Sequence, residues 1–197
     1  MSIFNKKDKK QNQMEEIEKQ LRIIASTIRS KINPKASLYQ SAYQALVVAL
    51  TNGSKEEIIE RAKKEYVAGQ TLQLFQYAAQ AADSLYGHCQ QIFGENKDDR
   101  WIQEYLKMAE LRELLGIYDF DAFVSKFPVP GVTAIKKREH PKMLDAQVPG
   151  YILYIAENNI NDPATKEKLK NMFSSASATG PEAAPKSIPQ LYPQVVV

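Results

Sequence analysis

The chain has one cysteine, Cys89, and two histidines, His88 and His140, in 197 residues. A single cysteine excludes an internal disulfide framework and a cysteine-based zinc site. The eight glycines are scattered, and no G-x-x-x-x-G-K or G-x-G-x-x-G arrangement occurs, so a glycine-rich phosphate loop is excluded. No apolar run approaches the ~18 residues that a membrane-spanning helix needs. The opening residues, Met1-Ser-Ile-Phe-Asn-Lys-Lys-Asp-Lys-Lys10, lack the apolar core of a signal peptide, so the expected location is cytoplasmic. Net charge is only +3, too small a total to imply nucleic acid.

What is present is an ordinary globular composition, 44% apolar and 25% charged, in a length that fits one domain. The charge is uneven. Residues 1–35 carry nine basic side chains (Lys6, Lys7, Lys9, Lys10, Lys19, Arg22, Arg29, Lys31, Lys35) against four acids (Asp8, Glu15, Glu16, Glu18). That is +5, which leaves −2 for everything after. A basic leading segment on a near-neutral body suits an anionic membrane surface or an acidic partner helix. The alternative is a solvated arm with no partner.

From Met14 the apolar positions fall at 14, 17, 21, 24 and 28, the three-and-four spacing of one helical face. The same phase runs on through Lys31, Lys35, Leu38, Ala42, Ala45 and Ala49. The spacing predicts one long helix over 14–51, or two nearly collinear ones, with a weak point at Asn33-Pro34, preceded by a basic arm over 1–13. Thr51-Asn-Gly53 should end it, with Gly53 as a left-handed C-cap. Ser54-Lys-Glu-Glu57 has capping-box spacing, so a second helix over 55–93 starts at once. Each helix would be about 57 Å long at ~1.5 Å per residue. The expected fold is therefore all-α: a long antiparallel helical hairpin with shorter helices packed on it.

Those shorter helices are expected over 100–115, from Asp119 through Phe127, over 148–160, and over 163–173 behind the Asp162-Pro163 cap. A loop over 128–146 separates the second from the third. After Phe173 the composition turns to Ser, Ala, Pro and Gln, with only Glu182 and Lys186 charged, so 174–197 is expected to be a disordered tail. Its apolar tip, Ile188-Pro189-Gln-Leu191-Tyr192-Pro193-Gln-Val195, has the spaced prolines of an extended ligand for a groove.

Catalytic, cofactor and metal sites are not expected. His88 and Cys89 are adjacent on a helical stretch and point about 100° apart. Glu56, Glu57, Glu60 and Glu65 sit among Arg61, Lys63 and Lys64 and read as solvated surface. The aromatics fall at helical spacing, as core residues do, and no nucleic-acid-binding signature is present.

Several stretches resemble one family. Leu21-Arg-Ile-Ile24, Ala45-Leu-Val-Val-Ala-Leu-Thr-Asn-Gly53, Arg61, Ala109-Glu-Leu-Arg-Glu-Leu-Leu-Gly-Ile-Tyr118 and Tyr151-Ile-Leu-Tyr-Ile-Ala-Glu-Asn-Asn-Ile160 are similar to segments of the ESCRT-III subunits. More narrowly, they resemble the increased sodium tolerance family of ESCRT-III-related regulators of the vacuolar-sorting AAA ATPase. Lys63 stands where that family has a glutamate, and Pro34 interrupts a helix that is usually continuous.

The resemblance implies a non-enzymatic assembly and adaptor protein, without cofactor, peripheral on endosomal membranes and acting in multivesicular-body sorting. Its implied partners are other ESCRT-III subunits and the MIT domain of the vacuolar-sorting ATPase or its cofactor, which would take Ile188, Pro189, Leu191, Tyr192, Pro193 and Val195. The competing expectation is a helical membrane-binding or scaffold protein without an ATPase partner.

Overall fold

The computed structural model describes residues 3–135 and 138–174, with side chains from Lys10 onward. The described chain is helical: α1 (Ile3–Asn52), α2 (Lys55–Gly87), α3 (Cys89–Phe93), α4 (Asp99–Glu110), α5 (Arg112–Leu115), α6 (Tyr118–Lys126), α7 (Val148–Asn159) and α8 (Pro163–Phe173). Two short 3-10 turns, Val132–Ala134 and Asp145–Gln147, lie between α6 and α7. Helices α1 and α2 form the expected long packed pair, joined by Gly53 and Ser54 alone. No helix of the described residues is long and apolar enough to cross a membrane.

The hairpin turn is set by two residues. Ser54 caps α2, its Oγ accepting from the Glu57 amide at 3.2 Å and its carbonyl accepting from the Ile58 amide at 3.0 Å. Gly53 is not left-handed, since positive φ occurs only at Gly116 and Gly131 among the described residues. Glycine is required there for room instead: a Cβ would lie 2.7 Å from the Ala49 carbonyl oxygen.

The two helices are less well matched than the spacing predicts. Helix α1 begins at Ile3, so residues 3–13 extend it, and it runs through Pro34 to Asn52 without a break. Helix α2 ends at Gly87 rather than 93. His88 leaves helical geometry (φ −123°, ψ 22°), and its amide bonds Leu85 in place of Ser84. The freed Ser84 carbonyl accepts instead from the His88 ring Nδ1–H at 2.8 Å. The ring also stacks on Trp101, centroids 3.4 Å apart. A side chain thus replaces the lost backbone donor and fixes the break.

Asp98 caps α4 by accepting from the Arg100 amide at 2.9 Å. Asp119 does not cap α6. The left-handed Gly116 (φ 57°) closes α5, Ile117 turns into the core, and α6 starts directly after it. Asp119 and Asp121 lie in the first turn, where the helix dipole favours negative charge. Asp162 caps α8 as the sequence predicts, accepting from the Thr165 amide at 2.9 Å, with Pro163 in the first turn.

The described chain divides into two compact units. The first joins α1 up to Ile32 with Leu74–His140. Ile17, Leu21, Ile24 and Ile28 of α1 share one apolar cluster with Leu74, Phe75, Ala78, Ala82 and Leu85 of α2, where small alanines allow close approach. Helices α3 to α6 add an aromatic group to the same cluster. Phe93 meets Tyr105 and Phe123 edge-on at 5.3 and 5.9 Å, and Phe123 lies 5.0 Å from Phe127. The Tyr105 hydroxyl donates to the Phe127 carbonyl at 3.2 Å. Each such large apolar side chain contributes about 1.5–3 kcal/mol through burial.

The second unit joins Asn33–Gln73 with the described residues from Pro141 onward. Its core unites Leu46, Ala49 and Leu50 of α1, Ile58 and Ala62 of α2, Val148, Ile152, Ile155 and Ala156 of α7, and Leu169 and Phe173 of α8.

Candidate functional site

The described basic side chains of α1, from Lys10 onward, point in several directions. Arg22 and Arg29, two turns apart, both reach across to α2. Arg29 forms an ion pair with Asp83, and Arg22 donates to the Tyr86 hydroxyl with its guanidinium carbon 5.0 Å from the ring centroid. Lys10 pairs with Glu95, beyond α3, at 2.6 Å. Lys19 is exposed and has no ion-pair partner among the described residues. Lys31 and Lys35, three and seven residues after buried Ile28, continue the apolar stripe and are half-buried. The side chains of Lys6, Lys7 and Lys9 lie outside the described residues, as do Ile188, Pro189, Leu191, Tyr192, Pro193 and Val195.

The cross-helix contacts therefore use much of the described basic charge for joining helices. A fourth contact runs the other way, Lys126 of α6 reaching Glu16 of α1 at 2.5 Å. An open groove of about 980 Å³ lies within this unit, lined by Lys10, Met14, Ile17, Phe93, Glu95 and Asn96 among others. Cys89 is buried, its thiol donating to Glu18 at 3.3 Å; burial, and then that carboxylate, push its pKa up to about 11. A thiol so held is a poor nucleophile. Among the described residues no three His, Cys, Asp or Glu side chains converge to hold a metal ion.

A polar site that the sequence reading assigns to solvent lies in the second unit. Glu65 is fully buried, with no exposed surface, and it is the one buried charged side chain among the described residues. Tyr151 of α7 donates its hydroxyl hydrogen to Glu65 Oε2, and Tyr39 of α1 is a second phenol bonded to the same carboxyl. Oε1 has no hydrogen-bond partner among the described residues. Burial raises the Glu65 pKa, an effect that the two phenols only partly offset. Tyr39 is pushed up to about 12, first by burial and then by Glu65, and Tyr151 rises for the same reasons.

The surroundings are aromatic. Tyr66 meets Tyr151 edge-on at 5.7 Å, and Tyr39 lies 6.2 Å from Tyr43. Tyr43 donates to Oδ1 of Asn159, and Asn159 Nδ2 donates to the Ile155 carbonyl at 2.7 Å. Helix α7 is thus tied to α2 through Tyr151 and to α1 through Asn159, two turns apart on one face. At the outer edge Lys63 pairs with Asp145 at 2.5 Å, and Arg61 with Glu57 at 3.8 Å.

Two spacings in the sequence point to this site. Glu65 lies three residues after Ala62 and seven after Ile58, both buried, on the inner phase of α2. On α1 the three-and-four stripe passes through Leu38, which is 60% exposed, before it reaches buried Ala49. Counting eleven residues instead, three full turns, leads from Ile28 to Tyr39 to Leu50.

No family model, no curated protein and no solved structure matches this chain.

Proposed function

We infer that the chain is a non-enzymatic ESCRT-III-like assembly and adaptor protein, working on endosomal membranes in multivesicular-body sorting and membrane remodelling. The observation that carries this reading is the hairpin: two long helices joined by two residues, with the shorter helices α3 to α8 in the same apolar clusters. Buried Leu21 and Ile24 on α1, Gly53 between the two long helices, and Tyr151–Asn159 within α7 support this reading.

Assembly on such a frame uses helix faces rather than a pocket. Lys19, exposed on α1, would add to attraction toward an anionic leaflet or an acidic helix at ~1 kcal/mol per near-surface basic residue. The apolar, proline-spaced tip from Ile188 to Val195 would dock on the MIT domain of the vacuolar-sorting ATPase or its cofactor as an extended ligand. A pulldown tests the adaptor half of this reading. An immobilised MIT domain should retain the full chain and fail to retain a chain ending at residue 185. Equal retention of both would refute it.

A further inference from the structure

The buried carboxyl of Glu65 has no role in an assembly built from helix faces, and its surroundings set it apart. It is fully buried on α2, it is met by phenols from α1 and α7, and one of its oxygens has no donor among the described residues. An ionised carboxylate presents about four acceptor sites. Two phenolic hydroxyls leave much of that capacity unmet, and an unmet buried charge is costly. A proton on Oε1 changes the balance: it neutralises the oxygen that lacks a donor and leaves Oε2 as a carbonyl accepting from Tyr151. We propose that Glu65 is a proton-controlled clamp, holding α7 against α1 and α2 when its carboxyl is neutral and loosening α7 when the carboxyl ionises.

The causes that act on its carboxyl are burial and the two phenols. From α1 come Tyr39 and Tyr43, with Lys35 one turn before Tyr39. From α2 comes Tyr66, with Arg61 and Lys63 held toward Glu57 and Asp145. From α7 comes Tyr151, and from the 3-10 turn before it Asp145, already paired with Lys63. Among the described residues the phenols of Tyr39 and Tyr151 bond the carboxyl, and they stay neutral over the range in which a carboxyl titrates.

The sign follows from linkage. The docked state binds this proton more tightly than an undocked one, because burial raises the Glu65 pKa there. Its contribution to docking is complete below the ordinary glutamate range and is lost as pH rises through the docked-state value. Exposed carboxylates that accept hydrogen bonds behave the opposite way. Glu60, Glu95, Asp145 and Asp162 are all lowered by hydrogen-bonding partners, and their contributions fade as pH falls.

Hydrogen–deuterium exchange of the α7 amides in the full chain, corrected for intrinsic rates, tests the clamp between pH 4.5 and 8. Protection of 151–159 should fall with rising pH, by up to about tenfold per unit, the limit for one proton. Glu65→Gln keeps the size and removes the titration, so it should flatten the profile and leave α7 at least as protected at pH 8. A flat wild-type profile, or an unchanged slope in Glu65→Gln, overturns the proposal. Should that variant fail to fold, carbon NMR of the wild-type carboxyl decides: a titration above the ordinary glutamate range supports the clamp, and one within it overturns it.

Discussion

Arg29 of α1 forms an ion pair with Asp83 of α2, each side chain about half exposed, and Arg22 joins Tyr86 two turns earlier along the same edge. An exposed pair gains little, since water and salt screen it and both side chains lose freedom. A double-mutant cycle with Arg29→Ala and Asp83→Ala, followed by urea unfolding, should give a coupling below about 1 kcal/mol that shrinks further in molar salt. A coupling of several kcal/mol would mean that these contacts hold the helices together, in place of the apolar stripe.

The aromatic group of the first unit should be far more sensitive. Phe123 is almost wholly buried and touches Phe93, Tyr105 and Phe127. Phe123→Ala should cost about 3–5 kcal/mol in chemical denaturation, the usual penalty when a ring is removed from a packed site. A loss under 1 kcal/mol would contradict the packing described.

Pro34 sits inside α1, where it removes the amide that would bond the Ser30 carbonyl. Its neighbours Ser37 and Ser41 bond back to Asn33 and Ser37 carbonyls at 3.1 and 3.0 Å, a habit that bends helices. Pro34→Ala should raise the midpoint of thermal unfolding, with a gain of up to about 3 kcal/mol from the restored bond and relieved ring. A lower midpoint would show that the proline geometry is needed.

Acid should fray α8 from its start. Asp162 is lowered by the hydroxyl and amide of Thr165, which both bond its carboxylate. A lowered carboxyl contributes stability that is present above its unfolded value and lost as pH falls through the folded one. Amide exchange at Thr165 and Lys166 should therefore accelerate below the ordinary aspartate range. Asp162→Ala should show that faster exchange at every pH.

Local signals along the chain account for the elements that were legible. Gly53-Ser54 marks the hairpin tip, although Gly53 serves through steric room and not through the expected left-handed φ, and Asp162-Pro163 marks the start of α8; neither depends on distant residues. The break at His88 was not legible, because its replacement hydrogen bond to Ser84 and its stacking on Trp101 are tertiary events. Glu65 was misread because its sequence neighbours are charged, while its burial depends on α7 arriving from some 86 residues away. Tyr39 and Tyr43 were missed because the expected stripe runs through Leu38, which is 60% exposed, while its neighbour Tyr39 is the residue bonded to Glu65. The basic total at the N-terminus was legible, but its division between cross-helix contacts and exposed Lys19 was not.

The most direct measurement is co-assembly. Full-length chain mixed with a purified ESCRT-III subunit, then examined by sedimentation and negative-stain electron microscopy, should enter filaments or tubes and alter their amount or diameter. A chain that stays in the supernatant and leaves the subunit's polymers unchanged would contradict the assembly reading.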